Sequence, residues 1–510
     1  MGLVYVKLNI IISNENEICM RLEIKKGINQ NQIINGVGNL DQDSLSKALS
    51  LQEQQNSGAN KVLIIEENEI LNISVLFELI KKFSIQQVLY IGSSLEETLH
   101  NCRSFLNINA LINSKAFQDL SKKSILILCE EKDSLVKVSN LLVEKVHQTR
   151  LEINLDHIKH NFEFYKSLLE HKTKVMAVIK AFAYGSGSAE VARLLESAQV
   201  DYLAVAYSDE GVALRKEGIS TPIMVMNPSL SDAHYLMKYD LEPEIYSAEQ
   251  LKHYHQAYQN SDKRLRLHLM LNTGMNRLGF DESGISELIK TIRDLKNLQI
   301  RGISSHLAAS DNQNEKEFTL KQFNSFTHLA DLISSQLDEK PLYHVLNSGG
   351  ITRYPEFQFD MVRLGIGLHG IEVNHKFHSK LKVPSTLKTI ISQVREINAA
   401  ETIGYGRVGK AEKNMKMAVI AIGYADGYSR AFSQGHGHVL VRGNLVPIVG
   451  NVCMDMAMID ITGIQAKEGD EVIVFGENLN IELLAKWSQT IPYEILTNVS
   501  SRVNRVFFQD

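Results

Sequence analysis

Short apolar runs alternate with amphipathic stretches along most of the chain, and the character of the alternation changes twice. Between Ile33 and Leu142 the runs are Val62–Ile65, Val88–Ile91 and Ile125–Leu128, with helical periodicity over Leu71–Phe83 and Leu135–Val146. Apolar runs separated by helices are the pattern of a parallel sheet covered on both faces, so a small α/β domain is expected here. After Lys145-Val146-His147 a longer series begins. Its runs end near Ile179, Ala206, Met226, Ile245, Leu271, Ser305, Leu346 and Ile366, with helices such as Ser188–Ser197 and Glu315–Leu337 between them. That is the count of strands a closed (β/α)₈ TIM barrel requires. From about Pro384 the period becomes that of short strands with glycine turns, over Thr389–Ile397, Met417–Ile422, His438–Val441, Val446–Val449, Ala457–Ile461 and Glu471–Phe475. Helical periodicity returns at Glu482–Gln489, and a mostly β domain is expected. The pattern divides the chain into 1–147, 148–383 and 384–510.

Composition agrees with several domains, because 510 residues exceed what a single hydrophobic core serves. With 44% hydrophobic and 22% charged residues the chain is not disordered as a whole. All eight prolines lie at or beyond Pro222, which sets the first third apart. A net charge of −5 with no lysine/arginine-rich run gives no footprint for nucleic acid, so a small-molecule partner is expected. Cys19, Cys102, Cys129 and Cys453 are scattered without a Cys-x-x-Cys pair, which suggests a reducing compartment. Met1–Ile12 meets Glu15 and Glu17 where a leader would have small residues, and no apolar stretch is long enough to span a bilayer. A cytoplasmic protein with no membrane partner is expected.

Polar residues at the ends of the barrel runs bring in chemistry. Lys180, Asn227, Asn272, His306, Asn347 and Arg363 each fall at or just beyond the C-terminal end of an apolar run, where barrel enzymes assemble their sites. A lysine after a buried strand loses part of its affinity for a proton, and the neutral amine can form a Schiff base with an aldehyde cofactor. The Gly185-Ser186-Gly187-Ser188 turn that follows could receive a phosphate. Taken alone, the same segment also reads as a lysine snorkelling from a strand end beside an ordinary turn.

Lys180-Ala181-Phe182-Ala183-Tyr184, Asn272–Phe280, Asn347-Ser348, Val362–Gly367, Gly404-Tyr405-Gly406, Gly423–Gly427 and Asn451-Val452-Cys453-Met454-Asp455 occur in that order. Together they closely resemble alanine racemase over residues 148–510. The resemblance implies a pyridoxal 5′-phosphate (PLP) barrel followed by a β domain, in a homodimer whose active sites combine the barrel of one subunit with the β domain of the other. It implies that Lys180 binds PLP and acts as one base, with Tyr405 as the opposing base. Racemisation removes a proton from one face of a planar centre and returns one to the other, which two such groups do directly. By the same resemblance His306 hydrogen-bonds to the tyrosine, Arg363 faces the pyridine nitrogen and His344 supports Arg363. Tyr184, Asn347, Ser348 and the N–H groups of Gly365 and Ile366 would hold the cofactor, chiefly its phosphate. Arg277 and Met454 would bind the substrate carboxylate, Tyr424 would narrow the entry, and Asp455 would lie near Tyr405. The role implied is supply of D-alanine for peptidoglycan.

Several positions depart from the family. Met270 stands where a lysine, frequently carbamylated, orients Arg277. Asn272 replaces an aspartate, Ser501 a tyrosine of the phosphate site and His369 another tyrosine. These leave two alternatives open: a PLP-binding carrier or regulatory protein with weak or lost catalysis, and a racemase of another small amino acid such as serine. His268, His306 and His344 also lie near strand ends, where metal ligands could sit, but no His-x-His ends the first strand and no carboxylate completes a set, so no metal is expected.

Residues 1–147 resemble, more weakly, the C-terminal domain of the Mur ligase that adds D-alanyl-D-alanine to the cell-wall precursor. Met20-Arg21-Leu22-Glu23, Ile33-Ile34-Asn35 and Asp43–Leu49 carry that likeness. No phosphate loop for ATP is present, and Asn35-Gly36-Val37-Gly38-Asn39 has lost the family's aspartate and aromatic residue. A degenerate remnant without ligase activity is expected, or else an unrelated α/β domain.

Overall fold

The computed structural model describes residues 4–5, 21–26, 31–37, 41–55, 60–67, 72–92, 101–129, 138–139, 142, 148–259, 261–295 and 297–509. Cys19, Met20, Gly38, Asn39, most of 135–146 and the boundary Lys145-Val146-His147 lie outside them. Where the sequence pattern divides the chain in three, it separates by compactness into two units. One holds 157–384 and 492–497; the other holds 1–156, 385–491 and 498–510.

The first unit is a closed parallel barrel. Its strands are β1 (Lys174–Val178), β2 (Tyr202–Val205), β3 (Ile223–Val225), β4 (Glu242–Ile245), β5 (Leu265–Met270), β6 (Leu298–Ser304), β7 (Leu342–His344) and β8 (Met361–Leu364), which pairs back to β1. The apolar runs form these strands because both faces are covered. All four residues of β2 and of β8 are buried. β4 is the exception in composition: it reads Glu-Pro-Glu-Ile and is nonetheless buried throughout. Helix Ser188–Ser197 falls where the periodicity places it, whereas the expected Glu315–Leu337 helix runs from Lys316 to Ser334, entered through a 3₁₀ turn at Gln313–Glu315.

The second unit is built on one long sheet. At one end lie parallel strands Gln32–Val37, Lys123–Cys129, Asn60–Glu66, Gln87–Ile91 and Cys102–Phe105, three of which hold the apolar runs Val62–Ile65, Val88–Ile91 and Ile125–Leu128, while the first and last hold none of these runs. Ile33, Val62, Ile64, Leu89, Ile125 and Ile127 form the core of this end. At the other end, Ser385–Ile397 pairs antiparallel with Met415–Ile420 and with Glu471–Phe475. The C-terminal strand Asn504–Gln509 joins the two ends. It pairs parallel with Arg150–Asn154, which borders Ser385–Ile397, and antiparallel with Arg21–Lys26. This pairing is why the first and last parts of the chain form one unit. Among the described residues, no helix is long and apolar enough to cross a membrane.

Candidate active site

The barrel unit encloses a cavity of about 430 Å³ lined by Lys180, Tyr184, Arg277, His306, Asn347, Ser348, Arg363, Gly365 and Ile366. Every site residue the sequence places on the barrel, except His344, therefore meets in one space. Met226, Asn227, Glu244, Met270 and Tyr493 complete much of its wall.

Lys180 leaves β1 into an unusual turn. Ala181, Phe182, Ala183 and Tyr184 all have left-handed backbone, with φ of 52°, 58°, 49° and 53°. For residues with a Cβ this costs about 1–2 kcal/mol each, so surrounding structure must hold the turn. Within it, Ala183 N–H donates to Ile179 O and Gly185 N–H to Ala181 O, both at 2.9 Å. Burial, then the nearby Arg277 and Arg363, holds the Lys180 amine below its ordinary range, while Glu210 and Glu244 pull the other way.

Arg363 is buried at the end of β8. Its Nη2 donates to Val345 O at 3.0 Å, to Ser305 O, and to His306 Nδ1 at 3.2 Å. Burial, with Arg363, Arg277 and Lys180 adding repulsion, keeps His306 well below the usual histidine range, hence neutral. Since Nδ1 accepts from a guanidinium, its proton is assigned to Nε2. The expected support of Arg363 by His344 is not a direct hydrogen bond. His344 Nε2 is 3.1 Å from His268 Nδ1, and His268 Nε2 is 3.1 Å from Glu242. A charged strand β4 can be buried because these partners meet it inside the barrel.

Ser348 stands against the backbone of Gly365 and Gly367. Ser348 Oγ accepts the Gly365 N–H at 3.0 Å and the Gly367 N–H at 3.2 Å, so the Gly365 N–H already has an acceptor. The Ser348 hydroxyl proton remains to donate. Asn347 Oδ1 caps the helix Ser348–Arg353 by accepting the Gly350 N–H, and also accepts the Ser310 hydroxyl, each at 2.9 Å. A Cβ at Gly365 would stand 2.5 Å from the Tyr184 hydroxyl, so only glycine allows that close approach.

Near Arg277, Asn272 does what an aspartate could not. Its Nδ2 donates to Asp281 at 2.7 Å and to Asn276 Oδ1 at 3.0 Å, while its Oδ1 accepts the Asn276 N–H at 3.0 Å. Ser304 donates its hydroxyl proton to Glu244 at 2.6 Å, and its oxygen stands 3.3 Å from the Met270 sulfur.

The remaining site residues belong to the sheet unit. Tyr405, Tyr424 and Met454 are exposed, by 70%, 41% and 54%. Hydrogen bonds knit their loops together. Asn451 Nδ2 donates to Tyr405 O at 3.1 Å, Tyr424 N–H to Cys453 O and Ala425 N–H to Met454 O, both at 3.0 Å. Gly404, at φ 74°, permits the turn that presents Tyr405. Asp455, expected beside Tyr405, is ion-paired with Arg502 at 2.6 Å.

Glu244 and Tyr493 are cavity residues that sequence reasoning missed. Glu244 lies in a strand that reads polar, and Tyr493 lies on the short helix Pro492–Thr497, far along the chain. The tyrosine rings of Tyr184 and Tyr493 are 6.0 Å apart. Burial, then Asp311, pushes the Tyr493 phenol up to about 12.

Two family models match the chain: the alanine racemase N-terminal domain over residues 153–373 and the alanine racemase C-terminal domain over 385–507. Alanine racemase 2 of Caldanaerobacter subterraneus subsp. tengcongensis is 36% identical over 375 residues, covering 72% of this chain and 96% of that protein. Among solved structures, alanine racemase of Clostridium difficile 630 superposes with a TM-score of 0.68 at 34% identity, covering 72% and 97% of the two chains. Alanine racemase from Bartonella henselae with covalently bound pyridoxal phosphate superposes with a TM-score of 0.65 at 28% identity, covering 71% and 99%.

Proposed function

The chain belongs to the alanine racemase family, and on that premise we propose which of its residues carry the reaction. It interconverts L- and D-alanine with PLP as cofactor. The cavity fits that group: an amine of lowered basicity, a serine hydroxyl with its proton left to donate, and a glycine that lets the backbone approach Tyr184 all face one space. When bound there, PLP supplies the electron sink that acidifies the α-C–H bond of the amino acid.

Lys180 would hold PLP through its neutral amine and, once released by the incoming amino acid, move the α-proton on one face. Tyr184, Ser348 and the Gly365–Ile366 segment would hold the phosphate, with Asn347 fixing the helix that carries Ser348. Arg363 keeps its proton because a guanidinium is a very weak acid, so it would donate a hydrogen bond to the ring nitrogen without protonating it. His306, neutral with its proton on Nε2, would donate to the oxygen of the partner subunit's Tyr405 and favour its anionic form. Arg277 and the backbone of the partner subunit's Met454 would take the substrate carboxylate, with the partner subunit's Tyr424 at the entry.

A homodimer is proposed in which the partner subunit's Tyr405 serves the second face, supported by the exposure of Tyr405, Tyr424 and Met454. The observation that carries the assignment is the convergence of Lys180, Arg277, Ser348 and Arg363 on one cavity. Measuring D-alanine formed from L-alanine with PLP tests it. Activity should be lost in Lys180→Ala and greatly reduced in Tyr405→Phe; turnover surviving Lys180→Ala would refute the assignment. A PLP adduct without turnover would instead favour a carrier.

For residues 1–147 a degenerate Mur ligase C-terminal-like domain is proposed, supported by their parallel sheet. The place of action proposed is the cytoplasm, supplying D-alanine for peptidoglycan.

A further inference from the structure

The left-handed turn Ala181–Tyr184 carries a strain cost that its local backbone hydrogen bonds do not explain, because those bonds form only after the backbone has taken that conformation. Glu210, in the first turn of the helix Ser208–Lys216, reaches back to it from the next βα unit. Its Oε1 accepts the Ala181 N–H at 2.6 Å, and its Oε2 accepts the Ala206 N–H at 2.7 Å and the Tyr207 N–H at 3.3 Å. One carboxylate thus ties the first residue of the strained turn to the loop that ends β2. N–H donors to an ionised acceptor form the stronger class of hydrogen bond. No other described side chain accepts the Ala181 N–H.

We propose that Glu210 is the positioning residue of this turn: its carboxylate fixes the Ala181 backbone and so sets where the Lys180 amine and the Tyr184 hydroxyl stand in the cavity. The inference rests on the reading of Lys180 as the PLP-binding residue. The same carboxylate also acts on Lys180 through its charge. The charges that act on the amine are Arg277 and Arg363 on one side of the balance and Glu210 and Glu244 on the other, with His306 beside them neutral. Removing Glu210 therefore has two separable consequences. The turn loses its clamp, and the amine loses a neighbour that favours its protonated form.

The test titrates the full-length protein, stripped of cofactor, with PLP as a function of pH. Capture is followed by visible absorbance, and the site is located by borohydride reduction and peptide mapping. In Glu210→Gln, PLP affinity should fall about tenfold or more, as loss of charge-assisted hydrogen bonds implies. The acid limb of capture should at the same time move to lower pH, since the amine is neutral over a wider range. Glu210→Asp keeps the charge and shortens the reach, so it should lose affinity while leaving the acid limb near its wild-type position. Glu210→Gln with unchanged affinity and acid limb would overturn the proposal, as would an affinity loss in which the Gln and Asp variants share the wild-type limb. If the reduced adduct survives Lys180→Ala, the reading of Lys180 fails, independently of what Glu210 does.

Discussion

Nδ1 of His306 accepts a hydrogen bond from Nη2 of Arg363 at 3.2 Å. With the ring kept neutral by burial and nearby cations, that contact leaves its proton on the far nitrogen. Substituting Arg363 with Met should free His306 from its closest cation. The histidine pKa, followed by NMR, should rise toward its ordinary value. The lost donors to Ser305 O and Val345 O should also lower stability by about 2–4 kcal/mol, measured by denaturant unfolding.

The two proposed bases act on opposite faces, which isotope exchange can resolve. In deuterated water, Tyr405→Phe should slow racemisation by about 10²–10⁴-fold, the usual contribution of a positioned acid or base. It should spare α-proton exchange of one enantiomer, the one whose proton Lys180 removes. Equal loss of exchange from both enantiomers would contradict the division of labour.

Gly365 tests the cofactor cradle by size alone. Gly365→Ala places a methyl 2.5 Å from the Tyr184 hydroxyl, so the side chain or strand end must shift, at about 1–3 kcal/mol. PLP affinity should drop with it. Adding Tyr184→Phe should recover thermal stability without recovering affinity, because the clash goes and the hydroxyl goes with it.

Acid should destabilise the cofactor-free protein early. Burial holds His306 and His344 well below the usual histidine range, with Arg363 adding to the effect on both, and burial alone lowers His369 to about 4. Each is neutral when folded but takes up a proton near pH 6.5 when unfolded. Their contribution is intact above that pH. It falls by about 1.4 kcal/mol per histidine per pH unit below it, until the folded pKa is reached. Unfolding midpoints measured between pH 7 and 5 should show this slope, and His369→Phe should flatten it.

Glu152 supplies a contrast in the sheet unit. It is buried between Arg150 at 2.8 Å and Lys388 at 3.1 Å, bridging paired strands. Burial raises its pKa, but Lys388 and Arg150 outweigh that and leave it below the ordinary glutamate value. Its stabilisation is therefore present above about pH 4.3 and lost as pH falls through the lower folded value. Glu152→Gln should cost about 1–3 kcal/mol at neutral pH, since Arg150 and Lys388 then share only the more exposed Glu471. The cost should shrink in acid.

Much of the site was legible because its residues sit at transitions the sequence displays. Lys180 and Arg363 interrupt or end apolar runs, and Ser348 and Gly365 stand in glycine-rich turns directly after them. Glu244 was hidden because Glu-Pro-Glu-Ile carries no strand signal of its own. It is a buried strand only because Ser304, His268 and Arg266 meet its carboxylates inside the barrel. Tyr493 was hidden because nothing local to Pro492–Thr497 tells that this short helix belongs with a barrel whose last strand ended at Leu364. Glu210 looked like any acidic residue in a first helical turn; only folding showed its oxygens facing Ala181.

The sequence by itself determined the barrel, its strand count and which polar groups stand at the ends of its strands, because periodicity, turn chemistry and side-chain type are local properties. Tertiary structure alone decided which oxygen meets which N–H, which histidine touches Arg363, and that the first and last parts of the chain share one sheet. Those outcomes depend on register and close approach between segments hundreds of residues apart. Local preference does not encode them, since a hydrogen bond is made or missed over a fraction of an ångström that only the packed whole fixes.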